Sequence, residues 1–277
     1  MAQFNLSPAA QIEYDQLVKI QYRSEGFLLR DSVRRKENVI GSSVQFRKMG
    51  EVISTPTGYA QAVTPQNPGI YVPSAQLVKY TTPIVVDDVE ALTVNFDATM
   101  ESVIAIGQAM GRRSDQITIN AVKADVGQTV ADGGQPMTYT KYTQIMEFFE
   151  NHGVPLPDRW VAMTAAQFRS LLAADQFVST FYTQNRVLDR GFVKEYLGIN
   201  LVIIPAMTEG GLPSSGGVTT CLAWHKMAVG FGVGANFRAE VNYVPVITSW
   251  LANGVFSAGS VVIDNFGTIA VNTVGDV

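Results

Sequence analysis

Apolar and polar positions change their period several times along the chain, and this predicts a mixed α+β fold. Alternating or continuous apolar runs of four to six residues, bounded by turn residues, are typical of strands. The strand-like runs are residues 44–47, 76–80, 84–86, 160–163, 199–204, 260–263 and 268–271.

A long helix is predicted between residues 98 and 125, with Asp97 as its N-cap and Gly127 as its stop. At about 1.5 Å per residue it would span ~40 Å. Gly107 and Gly111 would weaken it, so we expect another element to pack closely there. Its predicted buried face consists of Met100, Val103, Ile104, Gly107, Met110, Ser114, Ile117 and Ala121.

A mixed α/β block follows this helix. One helix face, ended by Gly153 and Pro155, is expected from residues 142–149. Thr164 with Gln167 has the spacing of a capping box at the start of another helix. Residues 209–217 are rich in Gly, Ser and Pro, which indicates a flexible loop.

The N-terminal 41 residues carry many charges and few apolar positions. Residues 11–19 could form a short helix, and Arg34, Arg35 and Lys36 form a basic cluster. Such a segment has too little apolar surface for a core of its own, so as an ordered element it needs a partner. It is either a solvated arm or an arm laid on an acidic neighbour.

The strand-like runs 44–47 and 76–80 enclose a long tip, residues 55–73, which contains three prolines and two glycines before its final Pro73. Long loops without secondary structure are uncommon and usually functional. A two-stranded hairpin alone is marginal in water. We therefore expect this extended arm to lie on another subunit.

Composition narrows the function classes. Apolar residues make up 47% of the 277 residues and charged residues only 16%, with a net charge of −4. A surface so poor in charge indicates extensive coverage by other protein, although an enzyme domain with a large core would have the same composition. The negative net charge argues against a protein that recognises nucleic acid, but a container for DNA does not need to bind phosphates tightly.

The few candidate catalytic side chains are better explained as structural. Cys221 lies in an apolar run and is expected to be a buried thiol. His152 falls at a predicted helix end, where capping is expected, and His225 follows Trp224 in an apolar run. One cysteine and two separated histidines provide no zinc-ligand set. We therefore predict no catalytic residues, no cofactor and no metal site.

Two further motifs favour ordinary structure. Residues 230–234 (GFGVG) lack the spacing of a dinucleotide-binding loop and the Lys-Ser/Thr of a P-loop, so a close backbone passage is expected. Asp87 and Asp88 are an isolated acidic pair, which more often lies in a solvated turn than at a metal. The N-terminus lacks the pattern of a signal peptide, and no apolar run approaches the length of a membrane span.

The order of elements resembles that of HK97-type capsid proteins of tailed phages. That order is an N-terminal arm, an extended two-stranded loop, a long helix, an α/β block and returning C-terminal strands. Local sequence agrees with it. The segments similar to the family are residues 159–164 (RWVAMT), 191–193 (GFV), 196–202 (YLGINLV) and 223–230 (AWHKMAVG).

The resemblance implies a division into five segments. These are an N-terminal arm (1–42), an extended loop (43–83), a peripheral domain with the spine helix (84–135), an axial domain (136–242) and a return to the peripheral domain (243–277). Some members of the family crosslink a loop lysine to an asparagine. Lys48 and Lys79 lie in the loop, but no motif identifies a partner asparagine, so no crosslink is predicted.

The same resemblance implies a shell protein of the virion. Copies of the chain would form hexamers and pentamers of an icosahedral head, assembled in the host bacterial cytoplasm around double-stranded DNA that is contacted non-specifically. Portal protein, and possible scaffolding and decoration proteins, would be its other partners, with no membrane involved. Two alternatives stay open: an encapsulin-like cellular compartment, and an ordinary α+β enzyme.

Overall fold

A computed structural model describes residues 26–87, 98–174, 195–246 and 248–275. Its helices are α1 (Ala98–Ala124), α2 (Tyr139–Asn151) and α3 (Ala165–Leu172). Its strands are β1 (Arg34–Lys36), β2 (Ser43–Gln45), β3 (Lys48–Met49), β4 (Ile70–Tyr71), β5 (Ser74–Gln76), β6 (Val78–Asp87), β7 (Gln128–Val130), β8 (Arg159–Met163), β9 (Glu195–Tyr196), β10 (Ile199–Ile203), β11 (Ser214–Ser215), β12 (Val218–His225), β13 (Val229–Val233), β14 (Arg238–Val244), β15 (Ser249–Val262) and β16 (Thr268–Val274). The predicted α+β class is confirmed.

The first sheet is built around β15. All ten residues of β6 pair antiparallel with one edge of β15, from Val78 opposite Ala258 to Asp87 opposite Ser249. Along the other edge, β14 and then β13 pair with β15, and β1 adds to β13 as a parallel strand. The predicted strand 76–80 is interrupted at Leu77, whose N–H donates to the carbonyl oxygen of Ser42. There the chain passes from β5 into this sheet.

The second sheet has the order β7-β16-β12-β8-β10-β9, with β11 folded back on β12. It mixes parallel pairs (β8 with β10, β7 with β16) with antiparallel ones. The chain leaves this sheet at His225, builds the first sheet with β13 to β15, and returns with β16. Residues 243–277 therefore contribute strands to both sheets.

The face that α1 buries is only partly the predicted one. Met110 and Ser114 are buried as expected, but Ile104 and Gly107 are exposed, and the side chain of Met100 lies outside the described part. The buried positions of α1 are Ile106, Met110, Gly111, Ser114, Asp115, Thr118, Ile119 and Val122. Apolar residues occur on more than one side of this helix, and the polar Asp115 and Thr118 are buried, so periodicity alone locates the buried face only in part.

The close packing expected at the two helix glycines occurs at one of them. A Cβ added to Gly26 would lie 2.4 Å from the carbonyl carbon of Gly111, so the chain before β1 lies directly on the α1 backbone. A Cβ added to Gly107 would have no neighbour within 4 Å. The expectation is therefore confirmed at Gly111 and wrong at Gly107.

The C-cap of α2 and the N-cap of α3 lie where the sequence predicts them. His152 is the C-cap of α2, as predicted. The hydroxyl of Thr164 accepts the N–H of Gln167 at the start of α3. The Gln167 side chain also accepts the Met137 N–H at 2.7 Å and donates to the carbonyl oxygen of Val274 at 3.3 Å. This glutamine therefore links the start of α2 to the end of β16.

A buried tyrosine on α2 gives a stability prediction. The hydroxyl of Tyr142 donates to the carbonyl oxygen of Tyr196 at 2.8 Å, and Tyr142 is fully buried. Tyr142→Phe would remove this buried hydrogen bond, so we expect the free energy of unfolding to fall by about 1–2 kcal/mol. Urea denaturation measures it. The control Tyr59→Phe, in the exposed loop, should change the same free energy by less than about 0.5 kcal/mol; equal losses in both variants would contradict the assignment.

The N-terminal segment finds the partner that the sequence predicts it needs, and the partner is not a neighbouring subunit. Leu29 and Val33 are buried in the main hydrophobic core. The indole Nε1–H of Trp224 donates to the carbonyl oxygen of Ser32 at 2.9 Å. The partner is the chain itself, nearly 200 residues further on in sequence. Residues 1–25, with the predicted helix 11–19, lie outside the described residues.

The base of the extended loop also has its own small core. It consists of Val44, Phe46, Ala75 and Ile263, with Val39, Leu77 and Val261 packed around it. At its base, where β2 pairs with β5, the loop therefore packs on its own chain, contrary to the expectation that it lies on another subunit. Beyond the short β3–β4 pair its residues are exposed, and contact with another subunit stays a prediction there.

The predicted flexible loop 209–217 is fastened to α1. The Gly210 N–H donates to the side-chain oxygen of Gln116 at 2.9 Å, and Glu209 lies 3.5 Å from Arg113 in an ion pair. Its end forms β11, which pairs with β12. Composition indicated flexibility because Gly, Ser and Pro are frequent there, but contacts with a helix distant in sequence hold the loop.

Candidate assembly surface

The cysteine and the two histidines have structural surroundings, as predicted. Cys221 is buried, with its Sγ 3.7 Å from the Thr273 hydroxyl. His225 donates from Nε2 to the carbonyl oxygen of Pro157 at 3.0 Å, and its Nδ1 accepts the Met227 N–H at 3.2 Å. These roles require the neutral ring. Burial lowers the pKa of His225, which favours the same form.

His152 belongs to an aromatic stack at the end of α2. Its Nδ1 lies 2.8 Å from the carbonyl oxygen of Phe148, and its ring stacks on Phe266 at a centroid distance of 5.2 Å. Both contacts cap and cover the helix end. The predicted capping role is confirmed.

The glycine run 230–234 leaves room for side chains of the loop base to pack on the strand backbone. A Cβ added to Gly230 would lie 2.5 Å from the Phe46 ring, and one added to Gly232 would lie 2.4 Å from the Val44 side chain. These glycines form β13, which allows the loop base to lie directly on the first sheet. The predicted close backbone passage is confirmed.

Only the first residue of the acidic pair lies in the part of the chain that the structure describes. Asp87 is exposed at the end of β6, and Asp88 lies outside the described residues. In the described ranges, no group of three or more His, Cys, Asp and Glu side chains is arranged to hold a metal ion. None of the described helices is long and apolar enough to span a membrane.

Buried cations are compensated by backbone carbonyls. Arg159 is completely buried, donates to the carbonyl oxygens of Val154 and Pro155, and pairs with Glu150 at 2.8 Å. The Nζ of Lys141 donates to three carbonyl oxygens, those of Asp132, Gln135 and Asn272, at 2.7, 2.7 and 3.1 Å. Burial lowers the pKa of Lys141. These partners indicate that both cations hold loops in position.

The basic cluster is part of the first sheet, because Arg34, Arg35 and Lys36 form β1. Arg35 pairs with Glu37 at 2.9 Å, and the Nζ of Lys36 donates to the carbonyl oxygen of Gln45 at 2.6 Å. Lys36 and Arg34 also lie over the Phe46 ring. A solvated arm is therefore the wrong description of these residues: they hold the loop base to the sheet.

The outer part of the extended loop is the main uncovered apolar surface among the described residues. Between Gly50 and Gly69, whose backbones bond at 2.8 Å, the chain forms a narrow ribbon. The Gln66 side chain bonds both backbone groups of Ile53 and holds its two sides together. Ile53 is 70% exposed and Tyr59 is fully exposed. The exposed large apolar residues between Met49 and Val72 are Met49, Val52, Ile53, Tyr59, Val63, Ile70, Tyr71 and Val72.

An ion pair connects the first strand of the outer loop to the body of the subunit. Lys48 in β3 lies 2.7 Å from the carboxylate of Asp264, and its Nζ is 5.5 Å from the centroid of the Phe266 ring. Asp264 also accepts the Phe266 N–H. The sequence contains no signal for this ion pair, because Asp264 lies over 200 positions away from Lys48.

Known proteins agree with this architecture. A model of the phage capsid protein family matches residues 6–274. No curated protein sequence matches the chain.

Solved structures resemble the chain over nearly all of its length. A chain from the structure of Mycobacterium phage Che8 superposes with a TM-score of 0.71 at 14% identity, covering 98% of this chain and 95% of that one. The capsid structure of the cyanophage P-SCSP1u gives 0.69 at 14% identity, with 91% and 90% covered. The capsid of Ralstonia phage GP4 gives 0.68 at 10% identity, with 100% and 95% covered. These likenesses confirm the HK97-like fold.

Proposed function

Because the chain belongs to the phage capsid protein family, we propose that its copies assemble as hexamers and pentamers of an icosahedral shell around double-stranded DNA. It is a major capsid protein, a structural component of the phage head shell. An encapsulin-like compartment is not favoured, since the matching family is that of phage capsids.

The observation that carries the proposal is the uncovered loop, residues 51–68. Its apolar side chains are exposed, and the ribbon has no core of its own beyond the β3–β4 pair. Apolar surface concentrated on one projection usually marks a protein interface. A neighbouring copy of the chain would cover these apolar side chains. The Lys48–Asp264 ion pair would hold the base of the loop on its own subunit.

The five segments expected from the sequence define the proposed domains. Residues 1–42 are the arm, 43–83 the extended loop, 84–135 the peripheral domain with α1 as spine, 136–242 the axial domain, and 243–277 the return. Strand pairing supports one refinement. β13 and β14 lie beside β15, so we assign residues 229–244 to the peripheral domain, and β16 to the axial domain.

The proposed partners follow from the charge and the family. With a net charge of −4, the shell wall would contact packaged DNA without gripping it. Portal protein, and scaffolding and decoration proteins, are further proposed partners, and assembly would occur in the host cytoplasm. We propose a purely structural role, without enzymatic activity, because Cys221, His152 and His225 are engaged in packing and capping.

Electron microscopy of the purified chain tests the proposal. We expect closed shells whose capsomers have six-fold and five-fold symmetry, and nuclease-resistant DNA in particles from infected cells. A 30.1 kDa monomer by light scattering at all concentrations tested would contradict it. Shells that carry cargo protein and never DNA would favour the encapsulin alternative.

A further inference from the structure

A polar recess lies over one face of the second sheet, between its end strand β7 and the helix α2. Its volume is about 280 Å³. Small-molecule sites in proteins usually measure ~300–1,000 Å³, so the recess has room for a ligand of one or two rings. Side chains from both elements line it, namely Gln128 and Val130 of β7 and Gln144, Glu147, Phe148 and Asn151 of α2.

The polar side chains of the recess have no partner within the subunit. Gln144, Glu147 and Asn151 are three and four residues apart, so they share one face of α2. In the part of the chain that the structure describes, neither these three side chains nor that of Gln128 hydrogen-bonds another protein group. A helix face that packs on a sheet is normally apolar. Packing therefore does not explain these residues, and their polar atoms are available to a ligand.

The C-cap of α2 adds an acceptor to the recess. His152 lines it beside Phe148. The Nδ1 atom of His152 lies 2.8 Å from the carbonyl oxygen of Phe148, so Nδ1 carries the proton of the neutral ring. The Nε2 atom then accepts, and within the described ranges it has no donor.

Both walls of the recess are fixed by contacts outside it. The end of α2 is held by Arg159, which pairs with Glu150 at 2.8 Å. The start of β7 is held by Gly127, whose N–H donates to the carbonyl oxygen of Thr268 at 3.0 Å. A ligand would therefore meet preformed walls, which reduces the cost of ordering them on binding.

The lining groups favour a neutral ligand with several hydroxyl groups. Each carboxamide donates and accepts hydrogen bonds, whereas Glu147 and the Nε2 atom of His152 accept them. A hydroxyl group does both, so neighbouring hydroxyls match this set. No lysine or arginine is among the described lining residues, and the carboxylate of Glu147 would repel an anion. Val130 and Phe148 supply apolar surface for the C–H groups of such a ligand.

The position of the recess argues against an added peptide strand. Gln128 and Val130 are two residues apart in β7, so their side chains point to the same face of the sheet. The recess lies over that face. A peptide that extends the sheet would instead bond the backbone along the free edge of β7.

We propose that this recess binds a neutral saccharide of one or two sugar units. The carboxamides of Gln144 and Asn151 on one wall, and of Gln128 on the other, bond pairs of neighbouring hydroxyls. Glu147 and His152 accept from further hydroxyls. All of these residues belong to one subunit, so the inference does not depend on shell assembly.

Saturation-transfer difference NMR on free subunits of the full chain tests the proposal. The probes are glucose, galactose, mannose, N-acetylglucosamine, maltose and lactose, with inorganic phosphate and tetra-alanine as probes of other ligand classes. From the free energy that small ligands gain per atom, we expect a Kd of about 1–10 mM for the best sugar. Phosphate and the peptide should not bind.

Substitutions then assign the binding to the recess. The double variant Gln144→Ala/Asn151→Ala should weaken binding of that sugar by about 10-fold or more, since two hydrogen-bonding side chains are removed. Both residues are exposed, so the midpoint of urea unfolding should not change. Gln45→Ala removes an exposed carboxamide of β2, outside the recess, and should keep the wild-type affinity.

Three results would overturn the saccharide site. The first is that none of the six sugars binds at about 50 mM, well above the expected Kd. The second is a sugar whose affinity is the same in the double variant, which would place it elsewhere on the subunit. The third is binding of phosphate or of the peptide that the double substitution abolishes, because the recess would then serve another class of ligand.

Discussion

Replacement of residues 51–68 by a short Asn-Gly turn should give a subunit that folds normally and fails to form shells. The cut lies beyond the Gly50–Gly69 backbone bond, so it removes none of the small core at the loop base. It removes Ile53, Tyr59 and Val63, which are exposed in the subunit. Burial of such a side chain at an interface contributes about 1.5–3 kcal/mol, so the loss of several abolishes a contact repeated throughout the shell.

Two measurements separate folding from assembly in this variant. The midpoint of urea unfolding should match that of the wild-type subunit, because no buried residue changes. Size-exclusion chromatography and electron microscopy should detect free subunits or capsomers. A second variant keeps the full-length loop and changes Val52, Ile53, Tyr59 and Val63 to Ser. This variant should also assemble poorly. Normal shells from both variants would show that the loop is not an interface.

Gly259→Ala should destabilise the subunit by about 2–3 kcal/mol, although only one methyl group is added. The new Cβ would lie 2.2 Å from the carbonyl oxygen of Gln76 and 3.4 Å from the Cβ of Ala75. The obstacle is backbone, so β5 has to move away from β15 and take the loop base with it. Urea unfolding measures the loss, and the yield of particles should fall with it.

The same substitution elsewhere in the chain is the control. A Cβ at Gly107 meets nothing within 4 Å, and this glycine lies in the exposed side of α1. Because alanine is the better helix former, Gly107→Ala should raise the free energy of unfolding by about 0.5–1 kcal/mol. Losses of similar size at both positions would mean that close packing of β5 on β15 is not the cause.

Local patterns in the sequence determined the positions of several helices, strands and helix caps in this protein. Helical periodicity gave the extent of α1 to within a residue at its C-terminal end, and apolar runs located β8 and β10. The Thr164 cap and the C-cap at His152 follow from short-range chemistry, since a side chain bonds backbone only a few residues away. The loop beyond β3 was recognisable because prolines and glycines leave it no regular structure.

The tertiary structure decided what depends on residues far apart in sequence. β1 pairs with β13 across nearly 200 residues, so a charged segment with few apolar side chains became part of a sheet. The buried face of α1 includes Asp115 because backbone donors of the N-terminal segment satisfy it, and hydrophobic periodicity does not record such donors. Period and capping are properties of neighbouring residues, whereas burial is decided by which distant segments meet.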